Sequence, residues 1–170
     1  MGAWGPGHLE NDDAADWLAD FEEEPTVAMV TAALEAVVEE RGFVDAPLAC
    51  EALAACEAIA AAVGHPVADG TAAPDGAPSG DGPAGGALPA RAGEDHVERL
   101  VRLTADLPEL VDQVPLALRA LPVVVDAGRS ELAQLWAEAD ADDGRSGDIG
   151  WLLAVMDVRE RLQRVPGHGD

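Results

Sequence analysis

The residues of this chain that could do chemistry are densest at its start. Gly2, Ala3, Trp4, Gly5 and Gly7 precede Glu10, Asn11, Asp12 and Asp13, and one helical turn later stand Asp16 and Trp17. On a helix beginning near Asp12, Asp12 and Asp16 share a face at i, i+4, where like charges repel by roughly a few tenths of a kcal/mol. An isolated helix gains nothing from that pair. A metal ion, an arginine from later in the chain or a basic partner would each compensate it. A reading without any ligand is also open, because acidic residues in a first helical turn cap free amides and meet the positive end of the helix dipole. Trp4, Glu10, Asn11, Asp12, Asp13, Asp16 and Trp17 are therefore expected to lock the fold first and to bind a ligand second. Inward convergence of Glu10, Asp12 or Asp16 with Glu51 or Glu57 would build a metal centre, whereas outward display would build a binding surface.

Other catalytic constellations fail on spacing. The four histidines, His8, His65, His96 and His168, form no His-Glu-x-x-His pair, there is no Cys-x-x-Cys, and the Glu-x-x-His pairs of helical di-metal proteins are missing. The acidic stretch EADADDGRSGD at 138–148 does not read as a calcium loop: counting from Asp140 or from Glu138 puts Arg145 or Asp143 at the sixth position, where glycine is required. It is expected to be a solvated loop capped at Asp148. GRSEL and GRSGD both depart from the nucleophile elbow Gly-x-Ser-x-Gly. Cys50 and Cys56 fall on one helix, about 9 Å apart along its axis and on different faces, beyond disulfide reach. Both are expected to be buried, reduced and inert. No catalytic or cofactor-binding residue is assigned and no cofactor is expected.

Charge excludes further classes. Ten basic residues stand against 33 Asp and Glu, for a formal net charge of −23, and all ten are Arg. The absence of lysine removes the phosphate-loop and Schiff-base lysines. So acidic a chain also repels a phosphate backbone, so no nucleic acid is expected as partner. No run reaches 18 apolar residues, and the start carries neither a basic region nor an apolar one, so neither a membrane span nor a secretory signal is expected, and the location expected is cytoplasmic.

The elements that must position these residues follow from periodicity and caps. Ala14, Trp17, Leu18 and Phe21 mark a helix over about 13–21 with Asn11 or Asp12 as cap. A second starts after Thr26, presents Val27, Val30, Leu34, Val37 and Val38, and stops by Gly42. Asp45 and Pro47 open a third, with one apolar line through Leu48, Ala52, Ala55, Ile59 and Val63 up to Gly64. Residues 64–93 hold 13 Gly or Pro in 30 positions and little to bury, which predicts a flexible insertion. Beyond it, Val97, Leu100, Val101 and Thr104 mark a fourth helix. Asp106, Pro108 and Glu109 suggest a capping box for the next, in which Leu116, Leu118, Leu121 and Val125 are buried and Pro115 and Pro122 leave the break open. Ser130 caps a segment with Leu132, Leu135 and Trp136, and Asp148 leads into Trp151, Val155, Val158 and Leu162. The four tryptophans are expected in the core. The reading is an all-α compact bundle of six or seven helices, one domain over 1–170 interrupted by the insertion.

The sequence GAWGPGHLENDDAADWLADF at 2–21 resembles the opening of bacterial domain-of-unknown-function family 4259, whose members begin Gly-Ala-Trp-Gly, a further Gly, then Glu-Asn-Asp and an Asp-Trp pair. Leu9 stands where that pattern usually has Phe. The likeness continues in residues 45–61, 116–121 and 130–140. It implies a bacterial cytoplasmic protein and brings no catalytic or cofactor residues with it.

Taken together, these observations favour a non-enzymatic acidic module that binds another protein, with an immunity-type role by analogy. The alternatives are a carboxylate-metal hydrolase or other metalloenzyme, and a structural or regulatory helical module without a fixed partner class. A basic protein is the expected partner, met by an acidic surface formed from Glu22, Glu23, Glu24, Glu39 and Glu40, because 14 acids and only Arg41 as base precede the insertion.

Overall fold

The computed structural model describes residues 9, 11–66, 92–143 and 147–165, of which 92–95, 139–143 and 147–149 enter as backbone only. Their architecture is all-α: α1 (Asp12–Glu23), α2 (Val27–Glu39), α3 (Ala46–Ala62), α4 (Ala92–Thr104), a 3₁₀ turn (Pro108–Gln113), α5 (Val114–Val124), α6 (Glu131–Asp143) and α7 (Gly147–Gln163). The expected insertion at 64–93 lies almost wholly outside the described residues, as do Trp4 and Glu10. Among the described residues no helix is long and apolar enough to cross a membrane.

The caps form largely where the residue types place them. Asn11 Oδ1 accepts from the Ala14 amide at 2.8 Å, Thr26 Oγ1 from Met29 at 3.3 Å and Asp45 Oδ1 from Leu48 at 3.3 Å, each satisfying an amide that the first turn leaves free. α3 ends in a Schellman turn: Gly64 takes φ +78°, its amide donates to Ala61 O at 3.1 Å, and the His65 amide donates to Ala60 O at 2.8 Å. Only a residue without Cβ enters that conformation at no steric cost.

α3 is the centre of the molecule and touches each of the other six α-helices. Its burial corrects the expected single apolar line. Ala49, Ala52, Leu53, Ala54, Ala55, Ala58, Ile59 and Ala60 are all buried, so the helix is enclosed on nearly every side, while Leu48, Glu51 and Val63 are only half-buried. Alanine makes this possible by letting neighbouring backbones approach closely. One continuous core draws Phe21, Leu34 and Val37 from before residue 67 together with Leu100, Leu110, Leu121, Leu132 and Leu162 from after it.

Two further expectations change. The capping box at Asp106 does not form; Pro108–Gln113 winds as a 3₁₀ turn entered from Leu107 without a side-chain cap. Pro115 instead opens α5, where its missing N–H is not needed, and Pro122 is carried inside the helix, in its last turn. The buried face of α5 is Val114, Ala117, Ala120, Leu121 and Val124, which leaves Leu116, Leu118 and Val125 half-buried. The acidic stretch expected as a loop from 138 is helical through Asp143, because its acids alternate with strong helix formers.

Two connections hold the bundle's ends in place. Residues 44 and 130 form an isolated parallel bridge: the Val44 amide donates to Arg129 O at 2.8 Å, and the Glu131 amide donates to Val44 O at 2.9 Å. Glu131 Oε2 also accepts from the Ala46 amide at 2.9 Å, so a side chain 85 residues away caps the start of α3. Between the last two helices, Trp136 of α6 stacks on Trp151 of α7 with centroids 6.0 Å apart.

Candidate functional site

α1 carries Asp13, Asp16 and Asp20 at i, i+3 and i+7, a spacing that sets all three on one face. Trp17 lies between them, buried and stacked on Phe21 with centroids 5.2 Å apart, so α1 is pinned to the core by the same turns that present the acids. Facing this helix, α2 contributes Met29, Ala32, Ala33 and Ala36, and α3 contributes Glu51. Together they line an open groove of about 430 Å³ with an apolar floor, four carboxylates and, among the described residues, no basic one.

The electrostatics of neighbouring groups follow from that arrangement. Glu51 is half-buried. Its desolvation, and then the charges of Asp13, Asp45 and Asp20, raise its pKa above the ordinary carboxylate value. Burial, followed by the same Asp13 and then Glu51, pushes the Cys50 thiol up to about 12. Cys56 is raised further, by burial first and Glu57 second, with Arg161 pulling the other way. Both cysteines are free and buried thiols, and thiols held so far from ionisation are not nucleophiles at neutral pH.

The second acid that could have converged on the N-terminal cluster, Glu57, faces another way. Glu57 Oε1 and Oε2 accept from Arg161 Nη2 at 2.7 Å and Nη1 at 2.9 Å, Arg161 Nε donates to Asp157 Oδ2 at 2.7 Å, and Nη1 donates to His65 O at 3.1 Å. Glu57 and Arg161 are 3% and 5% exposed, which makes them a desolvated clasp between α3 and α7. Burial opposes the arginine's charge, and the hydrogen bonds and charges of Glu57 and Asp157 more than offset it, so its pKa is raised. The Schellman turn at Gly64 is what aims the His65 carbonyl at this guanidinium.

The remaining expected residues are dispersed. Asn11 is the α1 cap, and Asp12 is exposed in the first turn. Glu22 pairs with Arg99 of α4 at 2.8 Å. Glu23, Glu24 and Glu39 are exposed. Glu40 Oε1 accepts from the Gly42 amide at 2.7 Å, and the Glu40 carbonyl accepts from Arg129 at 2.9 Å. The groove thus gathers Asp13, Asp16 and Trp17 from the expected cluster with Glu51, one of the two acids named as able to converge on them, and adds Asp20. Asp20 was readable as the next rung of the α1 ladder; Glu51 needed the docking of α1 on α3. Among the described residues no three His, Cys, Asp or Glu side chains are grouped so as to hold a metal ion.

A family model described as "Domain of unknown function (DUF4259)" matches residues 2–146. Neither a curated protein nor a solved structure matches the chain.

Proposed function

The chain belongs to that domain-of-unknown-function family, and from the geometry of its groove we propose that it works as a non-enzymatic interaction module that receives a basic protein. One observation carries this reading: four carboxylates from α1 and α3 flank an apolar floor, with no basic residue among the described residues that line it. Such a surface has a field that steers cationic groups and a floor that gives their aliphatic stems area to bury. The net charge of −23 extends the same field over the whole molecule. The biological form of the reading is an immunity-type or sequestering role in the cytoplasm, where the two buried thiols remain reduced.

The test is capture from the native cell by the wild-type chain and by a variant carrying Asp13→Asn, Asp16→Asn, Asp20→Asn and Glu51→Gln. A captured protein is then purified and titrated against both chains at low and moderate salt. The reading expects a basic protein that binds saturably, weakens with salt and is lost in the variant while the helical circular dichroism is retained. Absence of any saturable partner, or binding indifferent to the four substitutions, overturns it.

A further inference from the structure

The spacing of the groove's acids along α1 carries information beyond their sign. At about 1.5 Å rise per residue, Asp13, Asp16 and Asp20 stand roughly 4.5 and 6 Å apart along the helix axis, about 10.5 Å in all. The opposite wall is α2 with Ala32, Ala33 and Ala36, side chains small enough for another backbone to lie close. At about 430 Å³ the space takes side chains and not a whole helix, since a helix with its side chains is about 10–12 Å across. An occupant therefore lies across the mouth and lowers a row of cations onto the floor.

From these dimensions we infer that the occupant is one face of a basic α-helix of a partner protein lying along α1, with three Arg or Lys spaced by three and four residues, at j, j+4 and j+7 in the antiparallel direction; this rests on the interaction reading above. That pattern meets Asp20, Asp16 and Asp13 in order, because the antiparallel direction reverses the three-then-four spacing on α1. An extended strand matches the ladder less closely. Its same-face side chains recur every 6.6–6.8 Å or so, and three of them span about 13 Å against the ladder's 10.5 Å. The aliphatic stems of the cations lie against the edge of Trp17 and against Met29, and Glu51 closes the groove from α3.

The experiment uses the full chain and three probes in calorimetric titration at low salt: an alanine-based helical peptide with Arg at j, j+4 and j+7, a peptide of identical composition and helicity with the three Arg spread around the helix, and spermine. The inference expects the patterned peptide to bind about tenfold more tightly than the dispersed one, given that three exposed charge pairs each contribute a few-fold. That preference should disappear in Asp13→Asn/Asp16→Asn/Asp20→Asn and persist in Glu109→Gln/Asp112→Asn, which removes charge from the exposed 3₁₀ turn. Circular dichroism confirms that each variant is folded. Equal binding of the two peptides, or spermine binding as tightly as the patterned peptide, with all of it lost in the α1 variant, overturns the helical register and leaves the acidic-groove reading standing. Binding of all three probes that is the same in wild type and α1 variant overturns both.

Discussion

At the scale of single residues, the groove exacts a cost that pH reveals. The raised pKa of Glu51 means that, above the ordinary value of 4.5, the folded protein holds a proton that the unfolded chain has already released. Stability attributable to this group is present below that value and is lost as pH rises through the folded pKa. Glu51→Gln is therefore expected to raise the melting temperature near pH 7 and to leave it nearly unchanged near pH 4, as thermal unfolding at the two pH values would show. A second outcome concerns the thiols. Cys50, pushed up to about 12, and Cys56, higher still, lie in the bundle. A thiol reagent at neutral pH should find no reactive cysteine in the native protein and two after denaturation. Their inertness was legible from the alanines around them. Glu51 and Glu57 were both readable as acids able to converge on α1, but the choice between them was not, because nothing in the local sequence says which face of α3 docks there.

At the scale of elements, most of the molecule could be read in advance for a local reason. Asn11, Thr26 and Asp45 cap the helices they precede because a short acceptor side chain before an apolar period has few other uses. The errors fall where distant parts decide. Pro108 and Glu109 satisfy the pattern of a capped α-helix, yet the chain there packs as a 3₁₀ turn against α3 and α5. In α3, alanine at nine of 17 positions blurs the period that would reveal which face is buried, and here 13 of the 17 residues are. The end of α3 gives an element-scale test. At Gly64 a Cβ would meet no atom within 4 Å, so Gly64→Ala isolates the cost of φ +78°. It is expected to lower stability by about 1–2 kcal/mol, read as a shift of the urea midpoint with unchanged slope. Gly64→Asn should lose less, since Asn tolerates the left-handed region.

At the scale of the whole molecule, the Glu57–Arg161 clasp joins positions 104 residues apart and completes the burial of α3 by α7. Pairs of this kind are expensive to break and cheap to replace. Arg161→Met is expected to cost about 3–5 kcal/mol in chemical denaturation, because a carboxylate stays behind in the core. Adding Glu57→Leu should recover most of that loss, and failure to recover would mean that the ions contribute more than each other's neutralisation.

The clasp also bears on where this protein can be cut. The family match ends at residue 146, before α7, so a recombinant fragment with that boundary would keep Glu57 and Trp136 but shed Arg161 and Trp151, the groups that cover them. The stretch matched by sequence likeness is shorter than the packed core, to which α7 contributes Trp151, Val155, Val158 and Leu162. Expression work, crystallisation trials and any transplant of the groove onto another chain need α7 included through at least Leu162, the last turn of the helix that covers the core.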